Sequence, residues 1–114
     1  MDDDLEAVWK ALADPTRRKI LDLLRDRPRT TNGVAAAFPV SRFAIMKHLR
    51  ILERSGLVLV VRRGRERWNH LNAVPLRRIY ERWISGYAGH WSGSLLRLKR
   101  HVERGSARKG RESR

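Results

Sequence analysis

The segment Ser41-Arg-Phe-Ala-Ile-Met-Lys-His-Leu-Arg-Ile-Leu-Glu-Arg-Ser-Gly56 reads as a complete amphipathic helix with its own start and stop. A serine at position 41 can accept a bond from an orphan backbone N–H and cap the first turn. Ser55-Gly56 supplies the end, because glycine takes the left-handed conformation that closes helices at no side-chain cost. At 100° per residue, Ala44, Ile45, His48, Leu49, Ile51 and Leu52 fall on one side. Arg42, Phe43, Met46, Lys47, Arg50 and Arg54 fall on the other, with Glu53 as the one anion at its margin. Four cations beside two large apolar groups suit a polyanionic surface that also has apolar features, such as the major groove of DNA. The competing reading is a basic face wetted by solvent, and the flanking chain decides between them.

Upstream, three shorter helices are predicted. Asp3 and Glu6 have capping-box spacing. They precede a first helix whose apolar stripe is Leu5, Val8, Trp9 and Leu12. Asp14-Pro15 restarts the chain, since aspartate caps helices and proline is tolerated at their first position. The helix that follows, from Thr16 to about Arg25, buries Ile20, Leu21, Leu23 and Leu24 and displays Arg17, Arg18 and Lys19. Pro28 ends it. Thr30-Thr31 can cap a short third helix, Asn32 to Phe38, with Val34, Ala35 and Phe38 inward; Gly33 weakens it by about 1 kcal/mol relative to alanine. Pro39-Val40 then turns the chain into the Ser41 helix, which completes a helix-turn-helix.

Downstream of Gly56 the periodicity changes. Leu57-Val-Leu-Val-Val61 is rich in β-branched residues and Trp68-Asn-His-Leu71 returns, with Gly64 between them as the turn of a hairpin. Arg62, Arg63, Arg65 and Arg67 crowd its tip against Glu66, an arrangement suited to phosphates or a minor groove. A last helical segment runs from Pro75 to near Glu103, with Leu76, Tyr80, Trp83, Tyr87, Trp91, Leu95, Leu98 and Val102 three or four residues apart. Gly86, Gly89 and Gly93 interrupt it and predict a kink or a break. Residues 105–114 are Gly, Ser, Arg and Lys-rich without an apolar anchor and read as a disordered basic tail, leaving residues 1–104 as one domain.

With 114 residues, 26 Lys and Arg against 12 Asp and Glu, and a net charge of +14, the chain is one modest domain with a strong preference for anionic partners. It has no cysteine, which excludes disulfides and thiolate metal sites. No apolar run is long enough to span a bilayer and the amino terminus is acidic, so a cytoplasmic protein without a membrane role is expected. No Gly-x-Ser-x-Gly elbow or phosphate-cradling glycine loop is present, and enzyme activity is not expected.

Helices, a helix-turn-helix, an arginine-tipped hairpin and a closing helix describe a mainly α fold with a small β wing. Ala13-Asp-Pro-Thr-Arg-Arg-Lys-Ile-Leu21, the Lys-His-Leu-x-x-Leu-Glu-x-x-Gly-Leu-Val core within Ser41–Val58, and Gly64-Arg-Glu-Arg67 resemble the ArsR-type (arsenic-repressor-like) winged helix-turn-helix regulators over residues 4 to 103. The resemblance implies a homodimer formed by the first and last helices, bound to an inverted-repeat operator on double-stranded DNA and usually acting as a repressor. Leu5, Val8, Trp9, Leu12, Tyr80, Trp83, Tyr87 and Trp91 are the interface positions it points to, and they offer more apolar surface than a small monomer leaves wet. The expected DNA contacts are Thr31, Asn32, Ser41, Arg42, Phe43, Met46, Lys47, Arg50, Arg62, Arg63, Arg65 and Arg67. The alternative is a basic structural nucleic-acid-binding protein that reads no bases.

The metal sites of such regulators find no ligands here. The thiolate site on the third helix would fall on Asn32-Gly-Val-Ala-Ala-Ala-Phe38, and the last-helix site on Ala73, Pro75, Gly86 and Gly89. His90 and His101 repeat part of the second spacing, but Ala88 and Arg104 stand where its carboxylates belong. On one straight helix those histidines are ~16 Å apart. No metal or cofactor is expected, and the effector is left open. His48 reads as a hydrogen-bonded core histidine, and His70 as a wing residue.

Overall fold

A computed structural model describes residues 2–87, 93 and 96–112, with side chains at 5–87, 93 and 96–105. These residues fall into two compact units divided between Arg78 and Ile79. In the first, helices α1 (Asp2–Leu12), α2 (Pro15–Asp26), α3 (Thr31–Ala36) and α4 (Arg42–Arg54) accompany strands β1 (Arg29–Thr30), β2 (Val58–Arg63) and β3 (Glu66–Leu71). Helix α5 (Val74–Ile79) follows, straddling the boundary. The sheet is antiparallel in the order β1-β3-β2. Val8, Ala11, Ile20, Leu24, Val34, Ile45, Leu52, Leu57 and Val58 form the core.

Local chemistry fixes each helix end. Asp14 accepts from Thr16 N at 2.8 Å and Arg17 N at 3.2 Å, capping α2 with Pro15 in its first turn. Ser41 Oγ accepts from Ala44 N at 3.1 Å. Gly56, at φ 82°, donates to Glu53 O at 3.0 Å, and Leu57 donates to Leu52 O at 3.0 Å. That pair of bonds is the Schellman closure, with the buried Leu57 as its apolar contact. The hairpin turns through Gly64-Arg65, flanked by the Arg63–Glu66 pair. Gly64 has φ 64°, at the loop position where a II′ turn demands glycine.

Asp14 makes stability depend on pH. Burial pushes its carboxyl pKa up, but the Arg17 and Thr16 amides, with the nearby His48 and Arg17 charges, outweigh this and hold it below its ordinary value. A lowered folded pKa adds stability that is present above the unfolded carboxylate pKa and lost as pH falls through the folded value. Asp14→Ala is therefore expected to cost about 1 kcal/mol at neutral pH. The difference from the parent should shrink in denaturant titrations taken to acidic pH, and an unchanged difference would contradict the ionised cap.

Several elements differ from the sequence expectation. Strand β1 was not expected. Its two residues pair with Asn69 and Trp68 of β3, and Thr30 also caps α3 by accepting from Gly33 N at 3.0 Å. A Cβ at Gly33 would sit 3.2 Å from that hydroxyl, so the glycine expected to weaken α3 makes room for its cap. Arg17, expected on display, is half-buried: Nε donates to Ala11 O at 2.7 Å, Nη2 to Lys10 O at 3.0 Å and Nη1 to His48 Nδ1 at 3.3 Å. Arg18 donates to Leu12 O at 2.7 Å. Both guanidiniums satisfy carbonyls that the end of α1 leaves open. Ile51, expected inside, is 38% exposed, and Leu23, Ala35 and Phe38 are only half-buried.

In the second unit the regular helix stops at Ile79, ahead of the first glycine. A π-helical turn spans Tyr80–Ile84 and a 3₁₀ turn Ser85–Tyr87, with Ser85 Oγ donating back to Glu81 O at 2.9 Å. Such a side-chain bond to the carbonyl four residues back bends helices. Gly89, His90, Trp91 and Leu95 lie outside the described residues. Helix α6 spans Leu96–Glu112 and so enters the stretch expected to lack structure. Arginine and lysine are good helix formers, and extending a helix already nucleated costs little.

Candidate nucleic-acid interface

Helix α4 is held to the core by Ile45, Leu49 and Leu52, all buried. Those anchors turn Arg42, Phe43, Met46, Lys47, Arg50 and Arg54 outward, and all six are exposed. Phe43 is 71% exposed, more than any other large apolar residue among those described, and a free aromatic ring at that level is costly without a partner. Lys47 Nζ lies 5.6 Å from the ring centroid, which keeps a cation beside the apolar face.

The start of α3, the exposed side of α4 and the wing meet around one cleft. Thr30, Thr31, Asn32, Arg42, Met46, Arg65, Glu66 and Arg67 line it. An adjoining hollow adds Leu49, Arg50, Glu53 and Asn69. The fold thus gathers Thr31, Asn32, Arg42, Met46, Arg50, Arg65 and Arg67 of the expected contacts into one concave, mainly cationic surface. Phe43 and Lys47 share the α4 face outside the clefts. Arg62 and Arg63 are exposed on β2 and line neither cleft, while the Ser41 hydroxyl is engaged as the α4 cap.

Two residues of this surface were missed in the sequence. Asn69 is 1% exposed; its Nδ2 donates to Arg29 O and to Thr31 Oγ1, both at 3.2 Å. It ties β3 to β1 and fixes the entry of α3. Glu53 Oε2 accepts from Arg67 Nη2 at 3.3 Å. This ion pair joins the wing to α4, so Arg67 sets the wing's place as well as adding charge. Its half-exposed setting makes it worth at most about 1 kcal/mol. No local pattern marks either residue, because their partners are distant in sequence.

The remaining expected positions divide. His48 is half-buried and bonded to Arg17, as a core histidine should be. His70 pairs with Leu59 across the wing, and its Nε2 is buried without a hydrogen-bond partner. Leu5 and Val8, expected at an interface, are instead buried in the chain's own core, where α1 packs on α2 and α4. Leu12 is half-buried, and Trp9 stays 44% exposed. Tyr80, Trp83 and Tyr87 are exposed in the second unit, with the Arg82 guanidinium 4.4 Å from the Trp83 ring. Trp91 lies outside the described residues. Among the described residues no three His, Asp or Glu side chains gather to hold a metal, and no helix is long and apolar enough to cross a membrane.

A recognition helix presented beside a wing over one cationic cleft defines a winged helix-turn-helix DNA-binding protein. Residues 12–61 match a helix-turn-helix domain family. The chain is 40% identical over 70 residues to the transcriptional repressor SdpR of Bacillus subtilis, covering 61% of this chain and 78% of the repressor. It is 37% identical over 91 residues to the HTH-type transcriptional regulator YuzN of the same organism, covering 74% of this chain and 99% of the relative. A crystal structure of an ArsR family transcriptional regulator superposes with a TM-score of 0.70 at 31% identity, covering 82% of this chain and 95% of that one. The chain belongs to the ArsR family of winged helix-turn-helix transcriptional regulators. It is a DNA-binding regulator of transcription, a non-enzymatic class.

Proposed function

We propose that the protein is a homodimeric repressor that reads an inverted-repeat operator. Helix α4 enters the major groove. Arg42, Lys47 and Arg50 meet guanine edges or phosphates, while Phe43 and Met46 meet thymine methyls. Thr31 and Asn32 donate to phosphate, and Arg62, Arg63 and Arg65 clamp the flanking backbone with Arg67, whose pairing to Glu53 sets the wing's angle. The observation that carries the reading is the convergence of α3, α4 and the wing on one cleft, beside an exposed Phe43 that pure charge binding does not need. Repression is the stated activity of SdpR, a relative at 40% identity. Exposed Trp9, Tyr80, Trp83 and Tyr87 supply apolar surface for a second copy. Two such units place recognition helices about one turn of DNA apart.

Selection of bound duplexes from a randomised pool, run at two salt concentrations, tests this reading. The expected result is an enriched palindrome whose advantage over random duplex survives the higher salt, bound by a species of twice the chain's mass. Binding to random duplex as tight as to any selected one supports the structural alternative instead and overturns base reading.

A further inference from the structure

Helix α6 lies outside residues 12–61, the part matched to the helix-turn-helix family, and carries its own charge pattern. Its 17 residues hold seven Lys or Arg against two Glu. Arg97, Arg100, Arg104, Arg108 and Arg111 follow one another at intervals of 3, 4, 4 and 3 residues. At 100° per residue all five positions fall within an arc of about 80°, forming a ridge ~21 Å long with one arginine per turn. Arg97, Arg100 and Arg104 are exposed, and positions 108 and 111 continue the same line of backbone. Glu103 stands off this line, 3.8 Å from Lys99. Leu98 and Val102 occupy the nearly opposite side.

We propose that α6 is a second DNA-binding element, an arginine ridge that follows a run of phosphates without reading bases. Arginines in line along a helix repel one another, and a polyanion relieves that repulsion. Every ridge position is arginine, whose planar fork matches phosphate geometry better than a lysine ammonium does. A helix lying in a membrane surface needs a broad apolar face, commonly with Trp or Phe. Here that side offers Leu98 and Val102 and then meets Gly105 and Lys109. Because α6 shares a chain with the winged helix, each binding event raises the effective concentration for the other. The inference rests on the family's DNA binding and not on the proposed base contacts.

The test uses the full chain and its R97Q/R100Q/R104Q variant, glutamine being nearly as good a helix former as arginine. Affinity for a 40-base-pair random-sequence duplex is measured across a salt series, alongside binding to phosphatidylserine-containing vesicles. Each phosphate that is no longer neutralised lowers the log–log salt slope by about 0.9, so three should lower it by about 2.7. The R97K/R100K/R104K variant, which folds on the same pattern and keeps the charges, should retain most of the parent slope. Preference for the selected over the random duplex should be unchanged in both variants. A parent-like slope in the glutamine variant overturns the proposal, and a parent-like slope with vesicle binding abolished reassigns the ridge to a lipid surface. Since the duplex is random, failure to find an operator leaves this result readable.

Discussion

Arg50→Ala is expected to weaken binding to the selected operator by about 5- to 150-fold, the equivalent of about 1–3 kcal/mol for one base contact. The site logo should lose its preference at one position in each half-site. Arg50 is the residue to change because of where α4 holds it. Leu49, its neighbour, is 6% exposed, so the helix cannot roll to bring another side chain into its place. Arg50 itself is exposed and lines the hollow beside Met46 and Glu53. Arg67 would give a mixed answer, since its truncation breaks the ion pair with Glu53 as well as removing a cation. Two outcomes separate base from backbone contact. If Arg50 meets a guanine edge, affinity for random duplex changes little; if it meets phosphate, operator and random affinities fall together and the salt slope drops by about 0.9. The second outcome would move base reading to Arg42, Lys47, Phe43 and Met46.

What could be read from the sequence divides along a physical line. Ser41 and Gly56 closed α4 as expected because caps act between residues two to five apart, and a short window contains both partners. The wing was legible for the same reason: Gly64 and the flanking β-branched run specify a hairpin locally. Asn69 was not. Its partners at Arg29 and Thr31 are 40 and 38 residues away, and an asparagine in an arginine-rich hairpin looks like an ordinary polar surface residue. Strand β1 fails similarly, since two residues show no period and acquire strand geometry only by pairing with β3.

Long side chains were a second blind spot. Arg17 sits on the polar side of α2, so periodicity assigns it to water. Its guanidinium instead reaches back to the end of α1 and across to His48, which takes three donors that no helical wheel can place. Likewise the apolar stripe of α1 was visible, but its destination was not. Leu5 and Val8 are consumed by α2 and α4, whereas Trp9 is left outside. An apolar stripe announces that something covers it, and only the fold says whether that is the chain itself.

The largest stability effect is expected at Ile45, with Ile51 as its internal comparison. Both were placed on the apolar side of α4, yet Ile45 is 0% exposed and Ile51 38%. The buried arc runs from Leu52 through Ile45 to Leu49, and Ile51 lies about 120° from its centre, past the half-buried Ala44. Ile45→Ala should cost about 2–5 kcal/mol, the forfeited transfer energy plus a cavity among Val34, Leu49 and Leu52 that a small domain cannot collapse. Against a total stability of about 5–15 kcal/mol, that moves the urea midpoint far down without a comparable change in slope. Ile51→Ala removes atoms already partly in water and should cost under about 1 kcal/mol at protein concentrations where the chain is a monomer. If the two substitutions cost the same there, α4 is seated differently from the arrangement described. If Ile51→Ala becomes costly only as concentration rises, Ile51 is covered by a second copy, and the penalty measures dimerisation directly.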